Sequence, residues 1–154
     1  MTHEHWMQYA LREAEKAASR GEVPVGAVVV ANNQIIGRGH NLVETLQDAT
    51  AHAEMIAITA AAGSVGSWRL DGATLYVTLE PCPMCSGAIL LSRVSTVVYG
   101  GVDPRFGACG SVTNVIGKNP FGPAIEVVRS IMENQSQMLL QEFFQKVRQR
   151  KVEK

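Results

Sequence analysis

The chain has 154 residues, enough for one compact domain with a core that needs no disulfide staples. Hydrophobic residues make up 46% and charged residues 18%, which excludes a disordered chain, and no apolar run reaches the roughly 18 residues of a membrane helix. The 14 basic and 14 acidic residues cancel, which argues against a strongly basic nucleic-acid binder but leaves room for a local patch.

In chain order, Trp6, Ala10, Ala14 and Ala17 recur at helical spacing and predict a first helix, with Gly21 as its stop. Val25 to Ala31 is continuously apolar, as in a strand buried on both faces. Asn32-Asn33 predicts a tight turn into a second, antiparallel strand over Gln34 to His40. A loop from Asn41 to Thr50 leads to a helix over about His52 to Ala62. Ala73 to Leu79 reads as an alternating strand, Cys82 to Ser92 as a helix with Pro81 at its start, and Thr96 to Tyr99 as a parallel strand after a right-handed crossover. A Gly-rich loop, a fifth strand near Ile125 to Val128 and a last helix from about Gln135 complete the chain. Met138, Leu139, Phe143 and Val147 share roughly one side of that helix. The pattern predicts one domain over residues 1–154, a mixed sheet with helices on its faces.

Charge is uneven. Residues 1–60 carry 4 basic and 7 acidic side chains, residues 61–154 carry 10 and 7, and Lys146, Arg148, Arg150, Lys151 and Lys154 crowd the end. The segment Thr2 to Arg12 is polar and mixed in charge, unlike a secretory signal, so a cytoplasmic setting is expected. There, 3 cysteines point to metal or catalysis rather than a disulfide framework.

Two short motifs carry the chemistry: His52-Ala53-Glu54 and Pro81-Cys82-Pro83-Met84-Cys85. Cysteines at i and i+3 in the first turn of a helix are neighbours, and a helix N-terminus favours the thiolate. Imidazole and thiolate together suit zinc. Three ligands, His52, Cys82 and Cys85, leave one position for water, whereas a structural zinc takes four protein ligands. Glu54 then has a task, because a carboxylate must take and return the proton of that water. His52 and Glu54 lie about 200° apart on a regular helix, so His52 is expected at its irregular opening, with Thr50 as a possible cap. Cys109 is expected to be a small packed residue, Glu80 to be structural, and Trp6 and Trp68 to be packing residues. Of the adjacent pair Phe143 and Phe144, one is expected inward and one exposed.

The pairing of His-x-Glu with Pro-Cys-x-x-Cys resembles the zinc-dependent cytidine-deaminase superfamily. The match is closer to the bacterial tRNA-specific adenosine deaminases. It rests on Gly21 to Ala27, Gly39-His40-Asn41, Asp48 to Glu54, Leu75 to Cys85, Gly107 to Ser111 and the Phe143-Phe144 pair followed by basic residues. The resemblance implies a three-layer α/β/α fold with a five-stranded mixed sheet, one zinc per chain, a homodimer, and conversion of the wobble adenosine in a tRNA anticodon loop to inosine. It places the zinc ligands on His52, Cys82 and Cys85 and the proton shuttle on Glu54. It also implies base contacts from Asn41 and the backbone near Ala53, and contacts to flanking nucleotides from Asp103 and Arg105. Pro83, Val102 and the segment Lys118 to Ala124 depart from the usual pattern. Two other functions share parts of the pattern: a deaminase of free bases or nucleosides, and a non-catalytic zinc module, which alone needs a fourth protein ligand.

Overall fold

A computed structural model describes residues 1–153. Helix α1, His3–Ser19, starts at Thr2, whose side chain accepts from the His5 N–H at 3.1 Å. It buries Trp6, Met7, Ala10, Leu11, Ala14 and Ala17. The expected hairpin follows, with strands β1, Gly26–Ala31, and β2, Gln34–His40, paired antiparallel. Asn32 and Asn33 hold φ of 52° and 57°, as the primed turns that match strand twist require.

The loop after β2 contains a single helical turn, α2, Val43–Leu46, where no helix was expected. Its cause lies 22 residues away in sequence: the Glu22 carboxylate accepts from the Glu44 and Thr45 N–H groups, which a first helical turn leaves unpaired. Helix α3 runs Ala53–Val65 with His52 as an extended N-cap. Thr50 does not cap it; its N–H and hydroxyl both donate to Asp48 instead.

Strand β3, Thr74–Leu79, is buried on both faces rather than alternating, because helices cover both sides of the sheet. Helix α4, Pro83–Leu91, begins later than expected: Cys82 is the N-cap and Pro83, not Pro81, fills the first helical position, where its missing N–H costs nothing. Strand β4, Thr96–Gly101, pairs parallel with β3, and the short β5, Glu126–Val128, pairs parallel with β4. Helix α5, Glu133–Glu153, ends the described chain. Its inward side carries Ser136, Leu139, Leu140, Phe143 and Val147; of the four residues expected on one side only Met138 is exposed, and Phe144 is the exposed member of its pair.

The sheet order is β2-β1-β3-β4-β5, a mixed five-stranded sheet in an α/β/α sandwich. Val28, Val30, Tyr76 and Val98 face one layer, with α1 residues and Leu139 of α5. Val29, Leu75, Val77, Val97 and Tyr99 face the other, with Ala53, Ala57 and Ala61 of α3 and Ile89 and Leu90 of α4. Helix α3 lies directly on β2 at two glycines. A Cβ on Gly39 would stand 2.5 Å from the Ala53 carbonyl oxygen, and one on Gly37 would stand 2.6 Å from the Ala61 nitrogen. Only glycine permits that approach.

Candidate metal centre and substrate cleft

The carboxyl end of β3 faces the starts of α3 and α4, so two helix N-termini converge on one spot. Both N-caps, His52 and Cys82, have extended backbones and make no capping bond with their side chains. Those side chains are free to turn toward each other. His52 Nδ1 lies 3.6 Å from the Cys82 sulfur and 3.6 Å from the Cys85 sulfur, and the three donor atoms fall within 4.8 Å of one another. A tetrahedral zinc, with Zn–S of about 2.3 Å and Zn–N of about 2.0–2.1 Å, separates N from S by about 3.5 Å. The donor set and its spacing therefore fit zinc, and the helix termini add a positive field that favours thiolates. Cys109 stays outside the group: it is fully buried, its sulfur 3.6 Å from Ser86 Oγ, and burial pushes its thiol up to about 11.

Protons are unevenly shared among these groups. A hydrogen bond from Cys85 lowers Cys82 to about 4, against its burial and with help from His52. Cys85 moves the opposite way, raised by the same hydrogen bond and by burial. His52 is raised by its hydrogen bond with Cys82, against desolvation, with the charge of Glu54 adding to it. Glu54, only 4% exposed in the first turn of α3, is pushed up to about 7 by burial, against its own N–H and the charge of His52. A carboxyl near 7 both accepts and returns a proton with little bias.

These groups line the floor of a cleft of about 340 Å³. Asn41, His52, Ala53, Glu54, Cys82, Asp103 and Arg105 all line it, whereas Cys85 is fully buried and is not among the lining residues. Asn41 Oδ1 accepts from the Val43 N–H at 3.1 Å, which fixes the amide and leaves its NH₂ group to donate. The sequence did not mark Val23, Val25 and Leu79, the apolar walls, nor Phe106 at the mouth. Val25 and Leu79 sit at strand ends beside the motifs, a signal that patterning alone does not separate from core.

Each rim is fixed by a buried carboxylate. Glu22, 1% exposed, accepts from the Glu44 N–H, the Thr45 N–H and the Thr45 hydroxyl, and so holds α2 beside Asn41. Burial alone would raise its carboxyl; the bonds from Thr45 and Glu44 and the charge of His40 outweigh it and leave it below its ordinary value. Glu80, 2% exposed, accepts from the Asp103, Cys109 and Ser111 N–H groups and from the Ser111 hydroxyl. The structural role expected for Glu80 takes this form. Trp6 is core as expected, but Trp68 is 60% exposed, with Arg69 and Arg93 near its ring.

A mixed sheet brings a histidine and two cysteines together at facing helix starts, with a buried carboxyl in the same cleft. The family model for MafB19-like deaminases matches residues 1–148. A tRNA-specific adenosine deaminase of Bacillus subtilis is 50% identical over 148 residues, covering 96% of this chain and 92% of the relative. A solved structure from a study of tRNA:A34 deaminases and A-to-I editing at the tRNA wobble position superposes with a TM-score of 0.84 at 42% identity, over 88% of this chain and 99% of that one. A guanine deaminase of Nitrosomonas europaea, 24% identical with a TM-score of 0.80 over 91% and 83% of the two chains, shares the fold. The chain belongs to the MafB19-like deaminase family, on the branch of the tRNA-specific adenosine deaminases.

Proposed function

We propose that the chain is a zinc-dependent enzyme that hydrolyses adenosine to inosine at the wobble position of a tRNA anticodon loop. The observation that carries the deaminase chemistry is the set of three donor atoms at zinc spacing with Glu54 in the same cleft; the tRNA substrate is supported by the 50% identity to a tRNA-specific adenosine deaminase. Residues 1–154 act as one domain, and one zinc per chain is held by His52, Cys82 and Cys85. When bound there, zinc acidifies water and so supplies the nucleophile at neutral pH.

Glu54 takes a proton from the attacking water as the new C–O bond forms at C6 of adenine, and delivers it to N1. It then carries the second proton to the amino group as the C6–N bond breaks and ammonia leaves. The Asn41 NH₂ group and the Ala53 N–H, a first-turn donor, hold the base edge, while Val23, Val25 and Leu79 exclude water from its faces. Asp103 and Arg105 meet the nucleotides on either side. A base can enter such a cleft only when unstacked, which costs least in a single-stranded loop. The enzyme acts as a homodimer in the cytoplasm, as the resemblance in its motifs implies. Among the described residues no helix is long and apolar enough to cross a membrane.

The test incubates zinc-loaded protein with an anticodon stem-loop and, separately, with free bases and nucleosides. Inosine at the wobble position of the stem-loop, with little ammonia from guanine or cytidine, is the expected result. Turnover of free bases with none on the stem-loop would assign the chain to small substrates instead.

A further inference from the structure

Phe106 is 56% exposed at the mouth of the cleft, beside Arg105. An exposed apolar side chain is ordinary by itself; what distinguishes this one is that it lines the cleft that holds His52 and Glu54. Among the described residues no aromatic pair includes it, and it belongs to neither core cluster. The backbone that carries it is fixed on both sides. Asp103 Oδ1 accepts from the Arg105 N–H at 3.0 Å and from the Phe106 N–H at 3.3 Å, and the Asp103 carbonyl accepts from the Gly107 N–H at 3.0 Å. At Gly107 a Cβ would collide with the Glu80 carboxylate and the Ser111 hydroxyl, so the loop is wedged against a buried, fully bonded anchor. The ring is thus presented to solvent on a rigid support, at low entropic cost to whatever binds it.

We propose that Phe106 is a stacking platform for the base of a nucleotide adjacent to the target adenosine. This inference rests on the RNA reading above. Drawing one base into the cleft strips its neighbours of a stacking partner, and an aromatic ring at the mouth takes that partner's place without regard to base identity. Arg105, next in the chain, is placed to meet the phosphate of the same nucleotide.

The experiment uses steady-state deamination of an anticodon stem-loop, intact or with one flanking nucleotide at a time made abasic. Phe106→Ala should raise KM by about 5- to 150-fold, the range for loss of one base–aromatic stack, and leave kcat unchanged. Phe106→Leu, which keeps apolar bulk without a ring, should behave as Phe106→Ala, and Phe106→Trp should restore KM. One abasic position should weaken the unmodified protein and cost Phe106→Ala nothing further. An unchanged KM in Phe106→Ala, or an abasic penalty of full size in that variant, would overturn the proposal. Loss of the dimer in Phe106→Ala with the abasic penalty intact would assign the ring to the subunit interface instead. If the unmodified protein deaminates free bases but no stem-loop, the RNA reading itself fails, and that outcome is distinct from the others.

Discussion

The floor and the rims of the cleft are built by opposite rules. On the rims, Glu22 and Glu80 are buried carboxylates with three and four hydrogen-bond donors aimed at them, and each ties a loop to the sheet. On the floor, Glu54 is equally buried, yet burial dominates its proton affinity and pushes it up to about 7. A carboxylate saturated by backbone donors is an anchor; one left short of donors keeps a raised proton affinity, which suits the proton-carrying role proposed for Glu54. Burial and residue type are the same in both places, and the inventory of donors separates them.

That contrast is open to breakage. The largest expected effect is on turnover: Glu54→Gln should lower the rate on a stem-loop by about 10²- to 10⁴-fold while leaving zinc content and the unfolding midpoint nearly unchanged. Glu80→Ala should do the reverse. It strips a partner from four donors, so urea unfolding should show a loss of at least about 3 kcal/mol, while the rate per folded molecule falls far less than in Glu54→Gln. An inactive but stable Glu80→Ala would break the comparison outright.

Gly39→Ala probes the support under the floor. The new methyl meets the α3 backbone, so a cost of about 1–3 kcal/mol is expected together with weaker zinc retention against a chelator, because the start of α3 carries His52. Unchanged zinc retention would show that α3 finds another seat on the sheet.

Glu22 sharpens the anchor rule through pH. Its folded-state carboxyl titrates below its ordinary value of 4.5, so its contribution is complete above that value and is lost as pH falls through the folded one. The stability gap between the unmodified protein and Glu22→Gln, read by urea unfolding, should be constant from neutrality to about pH 5 and close on further acidification. A gap that widened in acid would mean that the carboxyl is raised, not lowered.

The smallest effect lies farthest from the floor. Neutralising Lys146, Arg148, Arg150 and Lys151 should raise KM for the stem-loop with kcat unchanged. It should also flatten the salt dependence, by about 0.7 log units per log salt for each phosphate that the tail no longer neutralises. Equal slopes would remove α5 from the RNA path.

The motif residues were legible because their geometry is local. His52 and Cys82 become N-caps through their own short neighbourhoods, and the Asn32-Asn33 turn is written in two adjacent residues. The anchors' bonds were not legible, because Glu22 reaches residues 22 and 23 positions away and Glu80 reaches up to 31, and no pattern of periodicity reports such a pairing. Helix α2 escaped largely for the same reason, since two N–H groups of its first turn are held by Glu22 and only that of Val43 by the nearby Asn41. Trp68 was misplaced because apolar character predicts burial only on average. Phe106 left a usable trace: an aromatic ring in a Gly-rich loop, next to an arginine and three residues after the aspartate that caps its turn.

The seat of α3 on Gly37 and Gly39 bears on how such a chain tolerates change over generations. Core side chains swap by a methyl or two, and each swap nudges the element above it. At Gly37 and Gly39 the nearest atoms are mostly α3 backbone, so at those two points the height of the helix above the strand is set largely by main-chain thickness. Swaps under α3 therefore leave the imidazole's seat in place, whereas swaps at Ile89 or Leu90 of α4 move the two sulfurs.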